Sequence, residues 1–260
     1  MNIRSIQNNS YMPQYKRTPP LQQKSEEQSL SCKKIDEIPS SYLRGSFGII
    51  NNKNSLSFGQ KHLYQINLKK RQQAGHYEFI PAYFSKLNPR NEDDRYFMEK
   101  LDGFWSPKSD RNMAGDIAED FFSERKNKEN NFYIIEKNDD EYYVDTFCRT
   151  TAVVETTNPK SKNKSKFEIK YLQTNPDILY QDTPEIKGSG ELMLYGCVKE
   201  AKKNGFDMVE IYSSNDSFYE HLGLIERPKA HFFTLYPQEY DYFLERIEKK
   251  YNLKQRNFTI

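Results

Sequence analysis

A helix that opens on a glycine turn, in the second half of the sequence, is the feature that most constrains the fold. The segment 187–190 (KGSG) precedes a run whose apolar residues recur on one helical face, and Gly205 follows as a left-handed stop. Strand-like segments flank this helix, at 167–174 and 206–212. A helix with one buried face between two strands packs against a sheet. The stretch therefore predicts a strand–helix–strand unit in an α/β domain.

The glycine turn also has the chemistry of an anion site. Amides in the first turn of a helix lack intrahelical partners and lie at the positive end of the helix dipole. Glycines let phosphate groups approach the backbone. The sequence lacks the phosphate loop G-x-x-x-x-G-K-[ST], and no third glycine completes G-x-G-x-x-G. By itself the turn is more typical of tight packing, so it becomes a candidate pyrophosphate cradle only together with the segments that follow it.

Composition divides the chain into a tail and one domain. Only 36% of the 260 residues are hydrophobic and 29% are charged, which is polar for a globular protein of this size. Residues 1–60 are rich in Asn, Gln, Ser, Lys and Pro and show no lasting apolar period. We therefore predict a disordered, low-complexity tail over residues 1–60 and a folded domain over residues 61–250.

Charge and cysteine usage narrow the expected partners and compartment. The net charge is only +2, so we expect no nucleic-acid partner and no membrane partner. The start of the chain lacks an apolar signal region, and no run approaches the roughly 18–20 apolar residues of a membrane span. Three cysteines far apart and four histidines without metal spacing predict reduced thiols, no metal site and a cytoplasmic protein.

The domain should contain alternating strands and helices from residue 61 onward. Proline at position 81 should mark a bulge or an edge in its strand. Asn91 or Asp93 could cap the first helix, and Pro237 should begin the last one. The predicted strands cover 62–68, 77–87, 132–136, 142–155, 167–174, 206–212 and 231–236, and the predicted helices before the glycine turn cover 94–101 and 112–122.

Two motifs in this order resemble a known superfamily. The segment 218–224 (FYEHLGL) fits the motif of a short helix that carries one tyrosine and ends in glycine, and 172–176 (LQTNP) fits L-x-V-x-P at the end of a strand. With the glycine turn between them, they resemble the GNAT N-acetyltransferase superfamily. The resemblance covers 132–236 well and 62–130 only by the order of elements. It implies the GNAT acyl-CoA N-acyltransferase fold, a mixed twisted sheet flanked by helices.

The resemblance implies a co-substrate and the residues that would hold it. The reaction would move an acetyl group from acetyl-CoA to an amine of a small molecule or a protein. Backbone groups of two strand residues would pair with the pantetheine arm, amides of the glycine turn would hold the pyrophosphate, and one polar residue would lie near the pantetheine. These residues are Leu172 and Thr174, then Gly188, Ser189, Gly190 and Glu191, and finally Asn215.

The resemblance also implies the catalytic groups. Tyr219 would be the general acid that protonates the departing thiolate, because a phenol keeps its proton at neutral pH. Glu168 lies six residues before Thr174, where one branch of the superfamily has its general base. Glu155 on the preceding strand is the second candidate, and water could also take the proton.

The sequence departs from the superfamily pattern at two points. Glu185 lies three residues before Gly188, where the family usually has Gln or Arg, and a carboxylate there is unfavourable for a pyrophosphate unless it points outward. The run from Pro176 to Gly188 is also longer than usual, and residues 177–182 would then line the acceptor side. Both departures bear on affinity for CoA more than on the fold.

Two other functions remain open at this point. One is a catalytically inactive GNAT-like domain that binds acyl-CoA or a protein, which would bind CoA without releasing thiol from acetyl-CoA. The other is a nucleotide-binding α/β protein that uses the same glycine turn, and binding of ATP or GTP would favour it. The missing lysine–serine signature speaks against the second alternative.

Overall fold

The structure is a computed structural model that describes residues 61–72, 75–105, 113–123, 130–138, 142–155, 164–176, 184–213, 215–226 and 231–253. The predicted tail, residues 1–60, lies outside the described residues, so that prediction stays a prediction. The described residues form strands β1 (Lys61–Arg71), β2 (Tyr77–Leu87), β3 (Asn130–Asn138), β4 (Tyr142–Glu155), β5 (Lys164–Thr174), β6 (Ile186–Lys187), β7 (Met208–Tyr212) and β8 (Phe232–Leu235). Their helices are α1 (Glu92–Trp105), α2 (Met113–Ser123), α3 (Ser189–Lys203), α4 (Asp216–His221) and α5 (Pro237–Tyr251).

All the described strands belong to one mixed sheet with the order β6-β1-β2-β3-β4-β5-β7-β8. Neighbours are antiparallel except for β5 and β7, which run parallel. A parallel pair needs a crossover connection, and α3 supplies it. The strand–helix–strand unit predicted from the glycine turn is therefore confirmed.

Helices cover the two faces of the sheet unequally. On the face that we call the front, α3, α4 and α5 pack on strand residues such as Phe84, Ile169 and Val209. On the opposite face, the back, α1 and α2 pack on residues of β2, β3 and β4 such as Phe132 and Phe147. Each helix buries one apolar stripe against the pleated surface, which gives the layered architecture of an α/β domain. No helix in the described part of the chain is long and apolar enough to cross a membrane.

The sheet is curled rather than flat. Lys187 in β6 is three residues before Gly190, so their Cα atoms are at most about 11 Å apart. Gly190 lies beside Thr174 in β5, since a Cβ built on it would be 3.5 Å from the Thr174 Oγ1 atom. Five interstrand spacings separate β6 from β5, which in a flat sheet would be roughly 24 Å. The curl therefore brings the β6 edge toward the end of β5.

The strands and helices match the predicted pattern, with differences at particular residues. The bounds of β2 and β4 are as predicted, and the Asn91 side chain caps α1 by accepting the Asp94 amide at 3.0 Å. Pro81 lies neither at a bulge nor on an edge strand. It pairs with Asn67 of β1, and the β3 ladder begins only at Tyr83, so the missing amide disrupts no bond there.

Gly196 lets α3 approach the sheet closely. A Cβ at this position would overlap the ring of Phe84 in β2, which is fully buried. We expect Gly196→Ala to lower the free energy of unfolding by about 1–3 kcal/mol, because the helix or the ring must shift. Denaturant unfolding measures this loss. Gly103→Ala in α1 is the control, since its Cβ would meet nothing within 4 Å and should leave stability unchanged or slightly raised. Equal effects of the two changes would contradict the prediction.

Candidate active site

Strands β5 and β7 part halfway along β5. Their pairing runs from Lys166–Met208 to Ile169–Ile211 and ends there, whereas β4 stays paired with β5 as far as Thr174. The ladder with β4 skips Lys170, which forms a bulge at the point of separation. The segment after Ile169 thus has a ladder partner on one side only, within the described residues. It contains Leu172 and Thr174, the residues predicted to pair with the pantetheine arm.

The start of α3 has backbone donors that the helix itself does not use. Gly188 adopts φ +94°, and its carbonyl accepts the first intrahelical hydrogen bond, from the Leu192 amide at 2.9 Å. The amides of Ser189, Gly190 and Glu191 precede that bond, and no side chain caps the helix. These are the amides predicted to hold a pyrophosphate.

The start of α3, the end of β5 and the helix α4 meet at Gly190. A Cβ on Gly190 would lie 3.3 Å from the Phe218 ring and 3.5 Å from the Thr174 Oγ1 atom. The absence of a side chain at this position is what allows the three elements to approach. The glycine turn and the parted segment of β5 are therefore neighbours in space, although Gly190 comes 16 positions after Thr174 in the sequence.

Tyr219 lies in the apolar layer on the front face. It is 6% exposed, and its ring stacks on Phe233 with centroids 5.3 Å apart. Burial raises the pKa of the Tyr219 phenol above its usual range, and the Cys148 and Cys197 side chains add to this effect. Cys148 is the β4 partner of Leu172. The phenol is thus held protonated near the parted segment, and within the described residues its hydroxyl forms no hydrogen bond.

Glu168 lies on the other face of the sheet from Tyr219. Its neighbours Phe167 and Ile169 belong to the front layer, and side chains alternate along a strand, so Glu168 points to the back. It forms an ion pair with Lys170, and 15% of its side chain is exposed. Glu155 is the last residue of β4, and its side chain lies outside the described part.

Asn215 caps the entrance to α4 through the backbone. Its carbonyl accepts the Phe218 amide at 3.2 Å, and its own amide donates to the Ser213 Oγ atom at 2.9 Å. The Asn215 side chain is exposed and accepts the Ser217 hydroxyl at 2.8 Å. The residue therefore stands one position before α4, close in sequence to the Phe218 ring that contacts the cradle.

Two glutamates near the cradle are held by other elements, one through its side chain and one through its backbone. Glu191 accepts hydrogen bonds from the Lys250 ammonium at 2.7 and 2.8 Å, so its charge is paired with a cation of α5. Glu185 is exposed, and its backbone carbonyl accepts the Arg71 amide of β1 at 2.8 Å. Sequence reasoning did not identify Lys250, because nothing in the chain order links α5 to the glycine turn.

The long run between Pro176 and Gly188 has a structural reason. Before α3 begins, the chain forms β6, which pairs with Lys69 and Lys70 at the far edge of the sheet. The predicted acceptor-lining segment, 177–182, lies outside the described residues. The two-residue strand β6 was missed because so short a segment has no apolar period of its own.

The structure brings Cys148 and Cys197 together. Their sulfur atoms are 3.8 Å apart, one on β4 and the other on α3, and both thiols are buried and free. Their separation of 49 residues gave no signal of this contact. Burial and the neighbouring Cys148 thiol raise the pKa of Cys197, so it stays protonated and acts as a small apolar group.

His231 lies in a cluster with two carboxylates that the sequence did not indicate. Its Nδ1 atom is 2.6 Å from the Asp216 carboxylate, and its backbone amide donates to Glu226 at 2.6 Å. The ligand-type atoms of the three residues lie within 4.8 Å of one another, a spacing that could hold a metal ion. These hydrogen bonds already account for the spacing, because they tie the segment before β8 to the start of α4.

The arrangement of the parted strands and the crossover helix defines the class of fold. A mixed sheet whose two parallel neighbours part beside a glycine-opened crossover helix is the GNAT fold, the fold of acyl-CoA N-acyltransferases, so the fold class predicted from the sequence is confirmed. No protein-family model matches the chain, and no curated protein matches it. The fold is therefore assigned from the order of strands and their separation.

Several solved structures are similar to the chain. AtaT complexed with acetyl-methionyl-tRNAfMet is 13% identical with a TM-score of 0.44, over 62% of this chain and 98% of that one. The KacTA–DNA complex is 12% identical with a TM-score of 0.39, over 50% and 82%. A tyrosine-to-phenylalanine mutant of the AtaT toxin, bound to the C-terminus of the antitoxin AtaR and to acetyl-CoA, is 15% identical with a TM-score of 0.37, over 46% and 76%.

These complexes correct one expectation. The prediction that nucleic acid is not a partner is wrong, because the similar structures include complexes with DNA and with a tRNA, and others with an antitoxin protein. The prediction relied on the net charge of the whole chain. Binding to nucleic acid depends on how cations cluster on one surface, which a sum over 260 residues does not report.

Proposed function

We propose that this protein transfers an acetyl group from acetyl-CoA to an amine. One observation carries the proposal: the uncapped start of α3, the one-sided segment of β5 and the Tyr219 helix converge around Gly190. Free amides suit a pyrophosphate, a free strand edge suits the amide groups of a pantetheine arm, and a protonated phenol suits a departing thiolate. Each feature alone is common, and their convergence on one glycine is not.

In the proposed reaction, two side chains of the chain move protons. The amine nitrogen forms a bond to the thioester carbon, and the carbon–sulfur bond then breaks. Glu168, or a water molecule, accepts the proton that the amine loses, and Tyr219 donates its proton to the leaving sulfur. The net result moves one proton from nitrogen to sulfur. Burial disfavours the phenolate of Tyr219, so the phenol regains a proton from solvent before the next turnover.

The amides of Ser189, Gly190 and Glu191 would hold the pyrophosphate, and Leu172 and Thr174 would pair with the pantetheine. Asn215 stands where α4 begins and would lie close to that arm. The cradle fits the co-substrate because Gly190 places no side chain between α3, α4 and the end of β5, where a Cβ would lie 3.3 Å from the Phe218 ring. The Glu191 charge is already paired with Lys250, which removes the main repulsion at the helix start.

The near-complete burial of Tyr219 favours one alternative, a domain that binds acyl-CoA without turnover. Two measurements separate the functions. Calorimetry with CoA tests the cradle, and no binding at millimolar CoA would exclude both functions. Release of free thiol from acetyl-CoA with a panel of amines tests transfer, since binding without amine-dependent thiol release would leave only the alternative.

The Lys250–Glu191 pair yields a specific prediction. We expect Lys250→Ala to weaken CoA binding by about two- to five-fold, because it leaves the Glu191 carboxylate without its cation beside the pyrophosphate site, at a partly exposed position. Calorimetry measures the dissociation constant. Adding Glu191→Gln to the Lys250→Ala variant removes that carboxylate and should restore the affinity. An affinity that the second change does not restore would show that Lys250 does not act through Glu191.

A further inference from the structure

On the back of the sheet, the described helices reach β5 but not β7. Helices α1 and α2 cover β2, β3 and β4, α2 also contacts β5, and in the described residues no helix covers β7 or β8 on this face. The Tyr212 side chain at the end of β7 is 59% exposed as a result. If CoA binds on the front, where α3 begins, an acceptor can reach the thioester through the gap from the back.

Gln173 is a buried polar side chain on the back of the sheet, beside the point where β5 and β7 part. Its partner across the ladder is Phe147, a residue of the back cluster, so the Gln173 side chain points to the back. The residue is 7% exposed, and its Oε1 atom has no hydrogen-bond partner among the described residues. A buried acceptor without a donor destabilises a protein, so a ligand that supplies the donor would bind favourably. Gln173 lies between Leu172 and Thr174, on the parted segment itself.

The charged side chains beside the gap are paired. Glu168 forms an ion pair with Lys170, and Glu210 of β7 lies 3.4 Å from Lys166. The charges cancel within these two pairs, so these four groups favour neither a polycation nor a polyanion. Hydrogen bonding and apolar contact are therefore left to select the acceptor.

Two aromatic rings provide the apolar contact. Tyr212 pairs with Phe232 of β8, and their ring centroids are 5.1 Å apart. Tyr212 is one residue past the last β5–β7 pair and Gln173 is four past it, so they are on the order of 10 Å apart along the strands. The exposed ring of Tyr212, with the half-buried Phe232 beside it, suits a second ring at that distance.

We propose that the acceptor is a small primary amine that carries an aromatic ring, with the amine at Gln173 and the ring against Tyr212 and Phe232. This inference rests on the proposed acetyl transfer and adds the substrate class. The Gln173 Oε1 atom accepts a hydrogen bond from the amine and directs its nitrogen toward the gap. Gln173 and Tyr212 are thus specificity residues, and Tyr219 and Glu168 remain the proton carriers.

The first experiment compares phenethylamine with hexylamine as acceptors in the thiol-release assay. We expect wild-type kcat/KM to favour phenethylamine at least tenfold, and Tyr212→Ala to lose that preference through a fall in kcat/KM for phenethylamine. Tyr242→Ala, a change at a 71% exposed tyrosine of α5, is the matched control and should keep the preference. A wild-type enzyme without preference, or a preference that survives Tyr212→Ala, would overturn the proposal.

The second experiment tests Gln173 with Gln173→Met, which keeps the shape of the side chain and removes its polar atoms. We expect KM for phenethylamine to rise at least tenfold, with KM for acetyl-CoA and the calorimetric affinity for CoA unchanged. The variant should unfold at the same or a higher denaturant concentration than the wild type, because an unpaired buried carbonyl is gone. Lower stability with an unchanged KM for the amine would assign Gln173 a structural role and overturn the proposal.

A binding measurement separates this inference from the proposed function. Phenethylamine is titrated into the full chain saturated with CoA, and binding is followed by calorimetry. Binding that Tyr212→Ala weakens would support the acceptor site even if no thiol were released, in which case acetyl transfer alone would fail. Binding and thiol release without any dependence on Tyr212 or Gln173 would leave acetyl transfer intact and refute the acceptor site.

Discussion

Tyr219→Phe should lower kcat for amine acetylation by about 10²–10⁴-fold, the usual contribution of a general acid. The substitution removes only the hydroxyl, which forms no hydrogen bond within the described residues, and keeps the ring stacked on Phe233. Affinity for CoA and stability should therefore stay close to those of the wild type. Steady-state thiol release measures kcat, calorimetry measures affinity, and thermal unfolding checks the fold.

The pH dependence provides an independent test of the same role. Burial raises the pKa of the Tyr219 phenol above its ordinary value near 10, so the acid stays protonated as pH rises. Ionisation of Tyr219 should then cause no loss of wild-type kcat below about pH 10. An alkaline loss centred below that value, present in the wild type and absent in Tyr219→Phe, would contradict the burial of the phenol.

Tyr240→Phe is the matched control for the hydroxyl. Tyr240 is also buried, at 1% exposure, and its hydroxyl donates to the Phe206 carbonyl at 3.4 Å, just past the end of α3 opposite to Gly190. It should keep full kcat. Full activity of Tyr219→Phe at every pH would remove Tyr219 from the mechanism, and an equal loss in Tyr240→Phe would indicate a general effect on packing.

Gly188→Ala should lower the free energy of unfolding by about 2–5 kcal/mol and weaken CoA binding. Gly188 has φ +94°, a left-handed conformation that costs an alanine about 1–2 kcal/mol. Its new Cβ would also overlap the phenol of Tyr251 in α5, and overpacking adds about 1–3 kcal/mol. Denaturant unfolding gives the stability and calorimetry gives the affinity for CoA.

Gly190→Ala separates the effect of the turn on stability from its effect on CoA binding. Gly190 has no left-handed φ, and its Cβ would meet neighbours at 3.3–3.7 Å, so the fold should tolerate alanine with a small loss. The added methyl group would still fill the gap between α3, α4 and β5, so CoA affinity should fall. Equal losses of stability in Gly188→Ala and Gly190→Ala would show that neither the left-handed φ of Gly188 nor its contact with Tyr251 causes the loss.

The sequence was sufficient to predict the elements because their signals are local. Alternation in β2 and β4, one apolar face in α3, and glycines at 188 and 205 each depend on residues within a few positions. Strand β6 and the three residues added at the start of β5 were missed, since these short polar segments become strands only through pairing with β1 and β4. Their backbone partners are distant in the chain.

The residues of the candidate site also divide into those that the sequence indicated and those that it did not. The glycine turn, Tyr219 and the strand before the turn were predicted from motifs. The turn, that strand and the helix that carries Tyr219 meet at Gly190, and their roles stay predictions. Two residues of α5 also contact the turn: Lys250 pairs with Glu191, and Tyr251 excludes a side chain at Gly188. The sequence near the motif gave no indication of either contact. Gln173 occupies a variable position of the strand motif, so the sequence did not indicate a role for it. Only the tertiary structure shows that its side-chain carbonyl is buried and has no hydrogen-bond partner among the described residues.

By itself, the order of residues determined which segments are strands and helices and which glycines the backbone requires, because conformational preference and apolar periodicity act over one or two turns. Tertiary structure alone decided where β5 leaves β7, which face Glu168 and Gln173 occupy, and that two cysteines 49 residues apart are in contact. These properties depend on the register between strands and on the curl of the sheet, which arise from packing summed over the whole domain and from no single segment.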